Sequence, residues 1–137
     1  MRTSLDTNVI SSIWSGEPSS QAVRTVLREA SAVGGLVLCP AVYGELRAYP
    51  GATQEFLDTF LAKTRVAVDW ELDGAVWRLA AERFALYAER RRESKGGVPK
   101  RLLADFLIGA HAVLRADRLM TLDRGRYERE FGELQII

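Results

Sequence analysis

Short apolar segments alternate with longer amphipathic ones along this chain, and that alternation restricts the fold more than any other feature. Residues 2–6 read as a short strand ending at Asp6, followed by strands at Leu36-Val37-Leu38-Cys39, Val66-Ala67-Val68 and 119–122, with a last one expected at 134–137. Between them, Val23, Val26, Leu27 and Ala30 recur at helical spacing, predicting a helix over 19–33 with Ser19 or Ser20 as its cap. Pro40 suits the first turn of a helix over 40–49, and Pro50-Gly51 ends it. Further helices are expected at 53–64, from Asp73 to about 94, and over 101–116, the last apolar on nearly every face. Gly96-Gly97-Val98-Pro99 reads as the loop between those last two. Strands rich in Val and Leu that alternate with helices demand a parallel sheet covered on both faces, an α/β/α sandwich. Ligands in such sheets bind beyond the carboxyl ends of the strands.

A chain of 137 residues, 47% hydrophobic and 27% charged, fits one domain spanning 1–137 with a core that needs no disulfide. The single cysteine, Cys39, forms no internal bridge and suits a reducing compartment. The chain has no signal-peptide pattern, and its longest apolar run, 102–114, is too short to span a bilayer, so a cytoplasmic setting is expected. With a net charge of only +1, nucleic-acid binding has to rest on a local patch.

Four acids stand where an isolated carboxylate is costly. Asp6 follows the first strand; Glu45 lies within Val42-Tyr43-Gly44-Glu45-Leu46; Asp105 is the only acid in the run 102–114; Asp123 follows Leu119-Met120-Thr121-Leu122. Withdrawing an unpaired carboxylate from water costs several kcal/mol or more, so such groups are paired or bound to metal. Asp6 and Asp123 both fall at the carboxyl edge of the expected sheet. Two unit charges about 5 Å apart repel by roughly 3 kcal/mol at an effective dielectric near 20. A hard divalent cation, Mg²⁺ or Mn²⁺, relieves that repulsion, and its chemistry favours phosphodiester hydrolysis. Each acid also has a structural alternative: an Asx-turn for Asp6, neutralisation by Arg101 for Asp105, pairing with Arg47 or Lys63 for Glu45, and a turn cap for Asp123.

The runs Leu5-Asp6-Thr7-Asn8-Val9-Ile10, Ala104-Asp105-Phe106-Leu107-Ile108-Gly109-Ala110 and Thr121-Leu122-Asp123-Arg124, with Glu45 between them, resemble the motifs of PIN-domain ribonucleases over essentially the whole chain. The nearest resemblance is to the toxin subunits of bacterial VapBC toxin–antitoxin pairs. It implies a Mg²⁺- or Mn²⁺-dependent endoribonuclease, often a homodimer, held inactive by a cognate antitoxin. Carried over, Asp6, Glu45, Asp105 and Asp123 form the family's catalytic and metal-binding acidic cluster, and Thr121 matches its neighbouring Ser/Thr position. Asp6 and Asp105 are expected as direct ligands, and Glu45 as a ligand through water or a proton acceptor. Asp123 is expected to support a second metal or the hydration shell. Thr7, Asn8 and Thr121 are expected to steady those acids or touch phosphate. Basic residues on either side, Arg92, Lys95, Lys100, Arg101 and Arg124, are candidates for holding RNA phosphates. The competing reading is a non-catalytic RNA- or protein-binding module on the same fold.

Overall fold

The computed structural model describes residues 1–96 and 100–137, so the Gly97-Val98-Pro99 part of the expected loop lies outside the described residues. The chain runs β1 (Thr3–Leu5), α1 (Thr7–Ser15), α2 (Ser20–Val33), β2 (Leu36–Leu38), α3 (Pro40–Arg47), α4 (Gln54–Thr64), β3 (Val66–Val68), α5 (Gly74–Glu93), α6 (Leu103–Arg115), β4 (Arg118–Met120) and α7 (Gly125–Glu128). The four strands form one sheet in the order β3-β2-β1-β4, every pairing parallel.

Successive strand residues point to opposite faces, so a strand buried at every position is covered on both sides. All three residues of β1 and of β2 are buried, whereas β3 at the edge leaves Ala67 exposed. Helices therefore cover both faces, as the α/β/α expectation required. The most extensive helix–helix contact joins α5 to α6. The middle of α6, from Phe106 to Ala112, is buried throughout, which accounts for its apolar sequence.

Local chemistry sets the element ends. Thr53 and Asp73 cap α4 and α5 by accepting from the Phe56 and Val76 amides, and Pro40 opens α3. Ser19 precedes α2 but makes no capping bond. Gly34 follows that helix, and glycine is required there because a side chain would collide with the Met1 carbonyl. Gly109 is required in the same sense, because the Phe131 ring occupies the space of a Cβ.

The structure departs from the sequence expectation in four places, one of them the short helix α7 where only a turn was expected. A helix, α1, follows Asp6 directly, and its Val9 and Ile10 are buried while Ile13 packs against the core. The strand expected over 119–122 ends at Met120, leaving Leu122 exposed. The expected strand over 134–137 is reduced to a parallel bridge between Leu119 and Ile136. Among the described residues no helix is long and apolar enough to cross a membrane.

Candidate active site

The carboxyl edge of the sheet brings together residues distant in sequence. Asp6 leaves β1 with its amide bonded to the Met120 carbonyl, which holds it beside the end of β4. It then caps α1: Oδ1 accepts from the Thr7 amide at 2.8 Å, and Oδ2 accepts from the Thr121 hydroxyl at 2.8 Å. The residue is buried, only 2% exposed. Each carboxylate oxygen has two lone pairs, so each retains one after these bonds.

Thr7 links Asp6 to the third helix, its hydroxyl donating to Glu45 Oε1 at 2.7 Å. Thr121 links Asp6 to the fourth acid, its hydroxyl oxygen accepting from the Asp123 amide at 3.0 Å. Asn8 secures the same turn by accepting the Leu122 amide at 3.0 Å. Thr7, Asn8 and Thr121 thus form the hydrogen-bonded frame between Asp6, Glu45 and Asp123. Among the described residues Glu45 pairs with neither Arg47 nor Lys63, and Arg47 donates instead to the Ala52 carbonyl.

Asp105, in the first turn of α6, approaches the same edge. Burial pushes its acidity towards the neutral form, Arg126 and the Leu102 backbone oppose this, and Asp6 adds to it; the net result is a raised pKa. Its principal counter-ion is Arg126 rather than Arg101. Arg126 Nη1 lies 3.5 Å from Asp105 Oδ1, and Nη2 lies 3.2 Å from Asp123 Oδ2. Asp123 also caps the following turn, its Oδ1 accepting the Arg126 amide at 3.3 Å, as one of the structural alternatives anticipated.

Of this region the sequence does not single out Tyr127, and it offers Arg126 only as a basic residue near the same edge able to hold RNA phosphates, not as a counter-ion of the acids. Tyr127 is fully buried, and its hydroxyl makes no hydrogen bond of ordinary geometry. Burial, then the fields of Asp6 and Asp105, raise its pKa far beyond the usual phenol range, so it stays protonated beside the acids. Arg126 joins two of the four acids. The available signal was the spacing in Asp123-Arg124-Gly125-Arg126-Tyr127, which places both one turn beyond an acid.

The acids are connected but do not form a ready-made cage. Among the described residues no group of three or more His, Cys, Asp or Glu is arranged to hold a metal ion. The donor chemistry nevertheless fits a hard divalent cation: Asp6 and Asp105 are carboxylates within each other's field, with spare lone pairs on Asp6.

The basic residues divide into two kinds. Arg92 and Lys95 are exposed at the end of α5, and Lys100 is exposed beyond the undescribed residues. Arg101 is committed to the fold, donating to the Arg126 carbonyl and, at 3.4 Å, to the Gly125 carbonyl, and lying over the Tyr87 ring. Arg124 is similarly engaged, donating to the Ile136 carbonyl at 2.9 Å. Lys100, Arg101 and Arg129 line a cleft of about 390 Å³ with Tyr87, Arg90 and Glu130.

A sequence profile of the PIN domain matches residues 4–131. The chain belongs to the PIN domain family. Its fold is similar to that of a chain in the crystal structure of VapBC2 from Rickettsia felis bound to a DNA fragment from its promoter. There the identity is 20%, the TM-score 0.69, and the match covers 100% of this chain and 98% of that one. It is also similar to a chain of VapBC-1 from nontypeable Haemophilus influenzae, with 22% identity, a TM-score of 0.66 and coverage of 100% and 97%. No curated protein sequence matches. In this PIN domain, then, the acids of the sequence motifs sit along one edge, tied by hydrogen bonds and ion pairs.

Proposed function

We propose that this PIN domain is a Mg²⁺- or Mn²⁺-dependent endoribonuclease acting as the toxin of a toxin–antitoxin pair. One observation carries the reading: acids from four separate segments share a network at the carboxyl edge of the sheet, and Asp105 there lacks sufficient positive charge. A network that served stability alone has no need to leave a sheltered carboxylate under-neutralised.

Asp6 and Asp105 would hold the ion, with Asp123 supporting its hydration shell. When bound, the ion supplies positive charge to the phosphoryl oxygens and helps to activate a water for attack. Thr121 and the Thr7 amide fix both oxygens of Asp6, so the carboxylate is oriented before substrate arrives. Glu45, held by Thr7, is the group assigned to accept the proton of the attacking water. Arg92, Lys95 and Lys100 are the exposed cations available to RNA phosphates, and Arg101 and Arg124 would reach them only by giving up backbone carbonyls.

The VapBC names of the two similar structures support an antitoxin as partner, and a homodimer is the assembly that the family resemblance implies. The alternative, a non-catalytic RNA- or protein-binding module, draws on the absence of a preformed cage among the described residues. A panel of end-labelled RNA and DNA substrates, with Mg²⁺, with Mn²⁺ and with chelator, separates these readings. Cleavage of RNA that requires the metal and is lost in Asp6→Asn supports the nuclease; binding without cleavage under every condition supports the module.

A further inference from the structure

Arg126 occupies an unusual position for an arginine beside acids. Its fork is divided, one nitrogen towards Asp105 at 3.5 Å and the other towards Asp123 at 3.2 Å. A guanidinium bound strongly grips one carboxylate with two parallel short bonds. Here each carboxylate receives a single long contact, the geometry of a bridge that is easily broken.

The backbone beneath it is fixed while the side chain is not. Tyr127 and Phe131, which follow Arg126, are both buried, and Arg101 holds the Gly125 and Arg126 carbonyls. The Arg126 side chain remains 38% exposed, so its guanidinium can turn into solvent without moving α7. Burial works against its charge, but Asp105, Tyr127, Asp123 and Asp6 outweigh that and hold its pKa above the ordinary value. Three of the four acids assigned to the metal-dependent reading therefore act on this one cation. A divalent ion and a guanidinium cannot both sit among them without mutual repulsion.

We propose that Arg126 is the resident counter-ion of the acidic edge, bridging Asp105 and Asp123 until a divalent cation displaces it. The side chain thereby sets the affinity for metal: it keeps the metal-free protein tolerable and imposes a threshold on metal uptake. This inference rests on the metal-dependent reading above, but concerns binding and not cleavage. It also explains why the acids do not converge into a cage: two of them are turned to the same guanidinium.

Isothermal calorimetry of Mn²⁺ alone, without RNA, into wild type, Arg126→Gln and Arg126→Lys tests it, with metal-free thermal melting of each. Arg126→Gln is expected to bind Mn²⁺ about tenfold more tightly than wild type, the scale of losing two partly exposed ion pairs. Its metal-free melting temperature should fall, and Mn²⁺ should raise it by more than it raises that of wild type. Arg126→Lys keeps the charge without the fork and should bind about threefold more tightly. If Arg126→Gln does not fold, Arg126→Lys decides the question, with affinity no tighter than wild type counting against the proposal. Wild-type uptake that Arg126→Gln leaves unchanged or weakens overturns this inference alone. No uptake by wild type or either folded variant overturns it together with the metal-dependent reading.

Discussion

Asp69 and Asp105 have equally sheltered side chains, each 15% exposed, yet their acidities move in opposite directions. Burial pushes both upward. At Asp69, which follows β3, the push is outweighed by a 2.9 Å hydrogen bond from His111, the Glu71 amide and the charge of Arg2, and the pKa falls. At Asp105 burial prevails, since Arg126, the Leu102 backbone and Arg101 do not outweigh it and Asp6 adds a like charge. Two carboxylates with equally exposed side chains thus differ both in how strongly burial acts on them, more at Asp105, and in the partners the fold has supplied them. Asp69 is a completed structural pair, and Asp105 is a site still short of positive charge.

The widest separation between the two should come from removing each acid. Asp105→Asn is expected to lower Mg²⁺-dependent RNA cleavage on the order of 10³-fold, the scale of losing a preorganised charge at a reacting centre. The same variant should melt higher than wild type in the absence of metal, because the ionised carboxylate no longer has to be sheltered. Asp69→Ala should do the reverse. It strands the fully buried His111 and should cost about 1–3 kcal/mol of stability in urea unfolding, with cleavage per folded molecule retained. Equal loss of cleavage in both variants would break the comparison.

Thr121 sharpens it on the acidic side. Thr121→Val removes the hydroxyl that donates to Asp6 and accepts from Asp123, and should weaken Mn²⁺ binding about 10- to 100-fold. Thr121→Ser keeps the hydroxyl and should restore it.

The smallest expected effect is a pH slope on the Asp69 side. Burial, partly countered by Asp69, holds His111 below its ordinary value of 6.5, so the folded protein protonates it less readily than the unfolded chain does. In the unfolded chain it takes up a proton as the pH falls through 6.5, so stability is full above that value and declines below it. The decline should not exceed about 1.4 kcal/mol per pH unit, and His111→Gln should flatten it in urea melts between pH 5 and 7. Asp69, also depressed, adds its own loss only in more acidic solution, below its ordinary value of 3.8.

Much of this architecture is legible in the sequence where a local rule decides it. The all-buried strands, the Thr53 and Asp73 caps and the Pro40 start follow from hydrophobic pattern and capping chemistry. His111 as a hydrogen-bonded core residue and Cys39 as an inert thiol, its pKa raised by burial to about 11, are likewise readable. The helix after Asp6 is harder to see, because Asp6 reads as a strand end before it reads as a cap. Residues 124–131 look like a charged surface segment, yet Tyr127, Glu130 and Phe131 are buried there. Glu130 achieves this by pairing with Arg90 from α5, a contact no local pattern announces. At the acidic edge the sequence identifies Asp6, Glu45, Asp105 and Asp123 as unusual acids, and folding ties them through Thr7, Thr121 and Arg126. The identity of their counter-ion was not legible, since Arg101 and Arg126 are equally plausible on the chain and only the turn at Gly125 chooses between them.

Metal-dependent cleavage requires that Asp6 and Asp105 together accept a divalent cation. An anomalous difference map from a crystal of the protein equilibrated with Mn²⁺ measures this directly. The expected result is one peak within about 2.5 Å of an oxygen of both Asp6 and Asp105, with the Arg126 guanidinium withdrawn towards solvent. A map with no peak at this edge, from crystals in which Mn²⁺ is bound elsewhere or not at all, would contradict it.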